Sequence, residues 1–305
     1  RAEFLHRAAK LGGFYVPSLY NVTYNLDGTV KEYTPLYDDI PTKITKRIIK
    51  DMDAAYYPDK FLMPYIETVH DRIVLEVYRG CIRGCRFCQA GMVYRPIREK
   101  SVETLNNQAK QLYKATGYDE ISLSSLSISD YSQIDCLCDT LLEWTNDAKV
   151  NISLPSMRID SFTKELMDKI STVRNTGLTF APEAGTQRLR DAINKNVDEE
   201  DLLRACRVAF EAGKTQVKLY FMLGLPTETN DDLEGIALLA KHVIDTYYDV
   251  YRGVKGRKSP TVTISCSCFI PKPFTAFQWE AQDPLDTLHE KQRFLRSKIN
   301  DPKVK

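Results

Sequence analysis

The sequence predicts an α/β fold built on a parallel sheet, and three observations carry that prediction. From about residue 70 onward, short apolar runs alternate with amphipathic segments of about three to five helical turns, the mark of repeated βα units. Six of these runs read as strands: Ile73 to Tyr78, Glu120 to Leu126, Val150 to Ser156, Gly177 to Ala181, Gln216 to Leu223 and Thr261 to Phe269. A chain of 305 residues, 43% of them hydrophobic, can bury one large core, which makes a single main domain the default.

In chain order, Ala2 to Leu11 reads as the tail of a helix capped by Gly12-Gly13. From Phe14 to Tyr33 alternating residues flank Asn25-Leu26-Asp27-Gly28-Thr29, whose Asp-Gly pair signals a hairpin turn. The stretch to His70 is proline-punctuated and tyrosine-rich, a linker wrapping onto the core. Residues 1–70 are therefore read as an amino-terminal extension, 71–283 as the core, and 284–305 as a carboxyl-terminal helix leading to a further segment. Because the first residue is Arg1, the extension reads as the tail of an upstream domain.

Within the core, Ser101, Ser132 and Ser161 are placed to cap the amino ends of helices. Gly213 follows a helix whose apolar stripe holds Leu202, Leu203, Cys206 and Phe210. The strand faces segregate by chemistry, because side chains alternate. In the last strand Thr263, Ser265 and Ser267 oppose Val262, Ile264, Cys266 and Cys268. In the second, Ser122 and Ser124 alternate with Ile121, Leu123 and Ser125; in the fifth, Lys218 and Tyr220 alternate with Val217, Leu219 and Phe221. Assigned to the interior, the polar faces make a lumen suited to a substrate cavity.

A formal net charge of +1 supplies no global field for nucleic acid or a membrane surface. No run reaches the roughly 18 apolar residues that span a bilayer. Eight cysteines without a secretory leader point to a reducing compartment, so the expected location is cytoplasmic.

The most informative stretch is Cys81-Ile82-Arg83-Gly84-Cys85-Arg86-Phe87-Cys88, which the strand from Ile73 feeds directly. Three thiols spaced CxxxCxxC at the carboxyl end of a parallel strand suit three corners of a [4Fe-4S] cluster and leave the fourth iron open. Structural zinc normally takes four protein ligands in paired short spacings, and no second CxxC is present downstream.

This spacing, with Phe87 before the third cysteine, resembles the signature of the radical S-adenosylmethionine (SAM) enzymes. The run from Arg79 to Ser101 looks most like uncharacterised members related to B12-binding proteins, neighbours of the methylthiotransferase and NifB-like enzymes. The resemblance implies a partial (β/α)6 TIM-like barrel, with Cys81, Cys85 and Cys88 holding a [4Fe-4S] cluster whose open iron is chelated by SAM. It further implies reductive cleavage of SAM to methionine and a 5'-deoxyadenosyl radical that abstracts hydrogen from a substrate, with RNA or protein as candidate classes. An electron donor such as flavodoxin or ferredoxin would be the partner. Cobalamin is expected only through an upstream domain.

The resemblance also nominates SAM contacts. Gly224, Leu225 and Pro226 look like the strand-end element along the adenine; the alternative is an ordinary turn with Thr229 or Asn230 capping the next helix. Glu183, in Pro182-Glu183-Ala184, stands where relatives contact the ribose or amino acid portion, or else caps the helix near Thr186. Arg158 matches a carboxylate as a fork, either of SAM or of a neighbouring helix. The family's Gly-Gly-Glu element is replaced by Ser122-Leu123-Ser124-Ser125-Leu126-Ser127, leaving Ser124 and Ser125 as candidates for the SAM ammonium.

Cys136, Cys138, Cys266 and Cys268 read as buried structural thiols rather than ligands of a second cluster. The four histidines form no i, i+4 ligand pair. Arg252, Lys255, Arg257 and Lys258 read as a solvated basic loop. The aromatics of the run Phe269 to Trp279 either pack over the cavity mouth or cover core. Two other classes stay open: an iron–sulfur electron-transfer or sensor protein that does not cleave SAM, and a zinc-stabilised interaction module.

Overall fold

The computed structural model describes residues 1–66, 68–155, 157–161 and 178–305. The chain divides into two compact units, Arg1–Asp51 and Met52–Lys305. Residues 52–70, grouped by the sequence with the extension, belong to the second unit, as do 284–305.

In the first unit, α1 (Ala2–Ala9) and a single 3-10 turn (Pro17–Leu19) precede an antiparallel hairpin of β1 (Tyr20–Tyr24) and β2 (Val30–Pro35). The Asp-Gly signal does fold the turn: Gly28 takes φ 84°, which glycine adopts at no steric cost, and Asp27 accepts the Thr29 N–H at 2.9 Å. Tyr20 stacks on Tyr33 across the strands at 4.7 Å.

The second unit holds six parallel strands in two three-stranded sheets. The first sheet runs β3 (Ile73–Glu76), then β6 (Glu120–Ser124), then β7 (Asn151–Ser153). A side ribbon pairs β4 (Tyr78–Arg79) with β5 (Arg98–Glu99). The predicted strand from Ile73 to Tyr78 is therefore two pieces. Val77 donates to the Ser124 carbonyl at 2.9 Å and accepts from Lys100 at 3.0 Å, so the chain changes partners there. The second sheet runs β8 (Leu178–Glu183), β9 (Gln216–Leu223) and β10 (Thr261–Cys268). Strand order follows chain order in each sheet, as βα units dictate.

The helices cover one face of each sheet. Between α2 (Gln89–Val93) and α4 (Ile134–Ala148) lies α3 (Val102–Thr116), which buries Leu105, Ala109 and Leu112, spaced one face apart. With Ile73, Leu75, Ile121 and Leu123 these side chains build the core of the first sheet, each large apolar one contributing about 1.5–3 kcal/mol. On the second sheet the covering elements are α5 (Gln187–Ala192), α6 (Glu199–Glu211), α7 (Asn230–Val250) and α8 (Leu285–Lys298). An Asp198–Asp201 capping box starts α6, its Leu202, Cys206 and Phe210 are buried as the stripe predicts, and Gly213 (φ 81°) closes it.

The polar and apolar strand faces separate as the alternation predicts. In β9, Val217, Leu219, Phe221 and Leu223 are buried while Lys218, Tyr220 and Met222 are not. Four expectations need correction or fall elsewhere. Ser101 caps α3 by accepting from Thr104, but Ser132 gives its N–H to Glu99 at 3.0 Å and leaves Gln133 to begin α4 uncapped. Cys136, on the exposed side of α4, and Cys266 are exposed rather than buried, and Cys268 is half-buried; Cys138 alone of the four is buried as expected. The helix expected after Ser161 lies outside the described residues, as does Ser156.

Candidate functional site

The cysteine loop leaves β4 through Gly80, whose φ of 98° and a Pro96 carbonyl 2.8 Å from any added Cβ both require glycine. Inside the loop, Arg83 N–H donates to Cys81 Sγ and Gly91 N–H to Cys88 Sγ, each at 3.4 Å. The loop is clamped from outside at several backbone points. Arg86 N–H donates to the Ile193 carbonyl at 3.0 Å, and Phe277 N–H to the Arg86 carbonyl at 3.2 Å. Arg95 donates to the Arg83 carbonyl at 2.7 Å. Asn194 Nδ2 donates to the Gly84 carbonyl at 2.9 Å, and a Cβ on Gly84 would fall 2.7 Å from that nitrogen.

Cys81, Cys85 and Cys88 line one cavity of about 290 Å³. Its remaining wall comes from residues at or just beyond the carboxyl ends of β6, β7 and β8, the end at which α/β barrels place chemistry, and from Lys195 and Val197 after α5. Phe87 lines it too, while packing against a cluster that includes Leu189, Leu225 and Phe277. Three cations line the cavity: Arg83, Arg158 and Lys195. Lys195 pairs with Glu183 at 3.2 Å, and Arg158 pairs with Asp160 at 2.9 Å. Burial pushes the Cys85 thiol up from its ordinary value, and Lys195 and Arg158 pull the other way. Burial likewise raises Glu183 despite Lys195. Arg83 forks onto Asp130, with Asp160 at 3.3 Å from its other arm; burial would raise Asp130, but Arg83 holds it below the usual carboxylate range. Ser127, 3% exposed, lines the cavity, but its hydroxyl oxygen is itself buried beside Asp130.

Residues 75–240 match the radical SAM superfamily. The chain belongs to that superfamily. Among curated relatives, an uncharacterised protein of Methanocaldococcus jannaschii is 34% identical over 254 residues, covering 80% of this chain and 53% of its own. The ribosomal protein uS12 methylthiotransferase RimO of Treponema denticola is 22% identical, covering 52% of this chain and 39% of its own. The chain thus spans about half the length, or less, of these relatives. Among solved structures, the radical SAM methyltransferase TsrM from Kitasatospora setae, with cobalamin and a [4Fe-4S] cluster bound, superposes with TM-score 0.50 at 12% identity. The match covers 68% of this chain and 38% of that one, and it shows the shared fold.

Radical SAM membership implies a [4Fe-4S] cluster and SAM, and the residues present fit both. The three thiols of one loop share a half-buried cavity, as a cluster in which each thiolate binds a different iron requires. The Lys195 and Arg158 cations on the cavity wall suit the carboxylate of SAM.

Of the residues nominated from sequence, the structure brings Cys81, Cys85, Phe87, Cys88, Arg158 and Glu183 to this cavity. Ser124, Ser125, Gly224, Leu225 and Pro226 do not line it. The Ser124 carbonyl is taken by Val77, and the Ser125 hydroxyl is buried without a partner. Gly224 has φ 80°, but an added Cβ there would meet Asp283 at 3.0 Å and Leu288 at 3.1 Å, so its bare face lies against α8 and the loop before it. Glu228 fixes this turn by accepting the Gly224 N–H at 2.8 Å and pairing with Lys291 at 2.8 Å; burial raises its carboxyl nonetheless. Leu225 is core.

Sequence reasoning named Ser127 only within the Ser122 to Ser127 run and missed Asp130, Asp160, Asn194 and Lys195. Asn194 and Asn196 have φ of 55° and 50°, and a polar Asn-Lys-Asn run after an amphipathic helix was the available signal, since Asn tolerates that conformation.

Proposed function

We propose that Cys81, Cys85 and Cys88 ligate three irons of a [4Fe-4S] cluster and that the chain is the catalytic core of a radical SAM enzyme. The observation that carries this is the convergence of the three thiols of one loop on a single cavity at the carboxyl ends of parallel strands, walled in part by Lys195 and Arg158. When bound, the cluster and SAM supply one-electron reductive cleavage of the SAM sulfonium, yielding methionine and a 5'-deoxyadenosyl radical that takes hydrogen from substrate.

The protein's own part is positional and electrostatic. Asn194, Ile193, Arg95 and Phe277 hold the loop so that its thiols face inward. Lys195 and Arg158, each already shared with a carboxylate, face the carboxylate of SAM. Phe87 and its apolar neighbours keep water from one side of the thiol cavity.

The electron comes from a small reductant of the flavodoxin or ferredoxin kind. Kinship with the methylthiotransferases supports RNA or protein as the substrate. All eight cysteines are free, which supports a reducing, cytoplasmic setting. Among the described residues no helix is long and apolar enough to cross a membrane.

The test is product analysis on anaerobically reconstituted protein given dithionite and SAM. The proposal expects 5'-deoxyadenosine and methionine, both lost in Cys85→Ala. Retained cleavage in that variant, or a reconstituted cluster that never cleaves SAM, would sink it; the second outcome favours the electron-transfer or sensor reading.

A further inference from the structure

The second sheet carries a polar row that the thiol cavity does not use. The parallel registers pair Lys218 of β9 with Thr179 of β8 on one side and with Thr263 of β10 on the other. In a parallel sheet, residues in register share a face, so the three side chains stand on one face in the order Thr179, Lys218, Thr263. The alternate residues, Phe180, Val217, Leu219, Val262 and Ile264, pack into the helix-covered core, which puts the row on the opposite face, the one the sequence assigns to a lumen. Two residues further along β9, Tyr220 is in register with Ser265.

Charge balance on the lumen faces singles out Lys218. Glu76, on the corresponding face of β3, is paired with Arg79 at 2.6 Å, and Glu183 at the end of β8 is paired with Lys195 at 3.2 Å. Lys218 has no carboxylate partner among the described residues. Its ammonium lies 4.9 Å from the centroid of the Tyr220 ring, a contact that steadies the side chain while leaving its charge unneutralised. A half-buried ammonium flanked by two hydroxyls offers up to five hydrogen-bond donors on one patch.

We propose that Lys218, with Thr179 and Thr263, forms a subsite for an anionic oxygen group, phosphate or carboxylate, at the end of the substrate remote from the reacting carbon. This deepens the radical SAM reading and rests on it for the word substrate. Lys218 stands five residues before Leu223, about 16 Å below the carboxyl end of β9 at 3.3 Å per residue. An extended substrate anchored there by its anionic end would run along β9 toward the carboxyl ends of the strands, where the thiol cavity lies.

The test is calorimetric titration of the anaerobically prepared protein with inorganic phosphate and, separately, with succinate. Wild type is expected to bind one of them. Lys218→Met should bind it at least about tenfold more weakly, Lys218→Arg within a few-fold of wild type, and Thr263→Val in between. Preference for phosphate assigns a phosphate-bearing substrate, and preference for succinate a carboxylate. Binding of neither anion by wild type, or equal binding by Lys218→Met, overturns the subsite. On the same samples the SAM-induced change in the cluster's paramagnetic signal should be identical in wild type and Lys218→Met. Its absence from wild type would fault the functional reading and leave the anion titration to stand alone.

Discussion

Replacing Asn194 by alanine isolates the contact that ties the cysteine loop to the segment following α5. The change removes the 2.9 Å hydrogen bond to the Gly84 carbonyl, a net loss of about 1 kcal/mol. It also places a Cβ-bearing residue without a compensating polar side chain at φ 55°, which costs about 1–2 kcal/mol. Together the penalty is about 2 kcal/mol, equivalent to a roughly thirtyfold rise in the population of an opened loop. Asn194→Gly removes the same hydrogen bond but adopts the left-handed conformation freely, so it should fall between wild type and alanine, offset partly by greater unfolded-state entropy. The assay is loss of iron–sulfur absorbance from the reconstituted protein on adding a chelator without oxygen, read beside thermal melting. Alanine should shed iron on the order of thirty times faster, and its Tm should fall by up to about 4–8 °C if the local loss is felt globally. Iron loss at the wild-type rate with an unchanged Tm would refute the claim that Asn194 holds the loop.

Three further outcomes are expected of the same structure. Single Cys81→Ser, Cys85→Ser or Cys88→Ser variants should each retain little reconstituted iron, whereas Cys206→Ser should keep the wild-type iron content. It should lose about 1–3 kcal/mol of stability in urea unfolding, because it puts a hydroxyl where a fully buried thiol sits in the core of α6. Gly84→Ala should displace the Asn194 amide, so the double variant with Asn194→Ala should lose less stability than the two single changes added. Asp232→Asn should be distinguishable from wild type by its pH dependence. Burial would raise the Asp232 carboxyl, but Thr186, Thr229 and Arg188 hold it below the usual range. A carboxyl lower in the folded than in the unfolded chain gives stability that is fully present above the unfolded value of about 3.9 and fades as pH falls through the folded value. The melting difference between the two proteins should therefore be constant near neutrality and shrink in acid; a difference that grows in acid would contradict this.

The six strands, their order along the chain and the division of their faces were legible because period-two alternation is a local property of sequence. Gln216 to Leu223 begins and ends where predicted, and Val217, Leu219 and Phe221 are buried as predicted. The break at Val77 was not legible, since it arises from a change of hydrogen-bond partner supplied by Lys100, more than twenty residues along the chain. The cysteine loop was legible for a different reason: ligand spacing is written in a few adjacent residues. Its supports were not. Asn194 and Lys195 reach it from beyond β8 and α5, and Asp130 from the turn after β6, so only tertiary structure brings them to Gly84, Glu183 and Arg83. Gly224 shows the opposite failure. A strand-end glycine reads as room for a ligand, yet here the room is filled by Asp283 and Leu288. Arg158 faces the cavity while bridged to Asp160, a turn carboxylate two residues on rather than the helix carboxylate offered as its alternative partner.

The central claim is that the cavity lined by Cys81, Cys85 and Cys88 holds a cluster with an iron open to SAM. Electron paramagnetic resonance of the anaerobically reconstituted, dithionite-reduced protein, with and without SAM, tests it most directly. The account predicts a [4Fe-4S]+ signal whose g-values change on adding SAM. A cluster signal indifferent to SAM, or a protein that takes up stoichiometric zinc and no cluster, would contradict it.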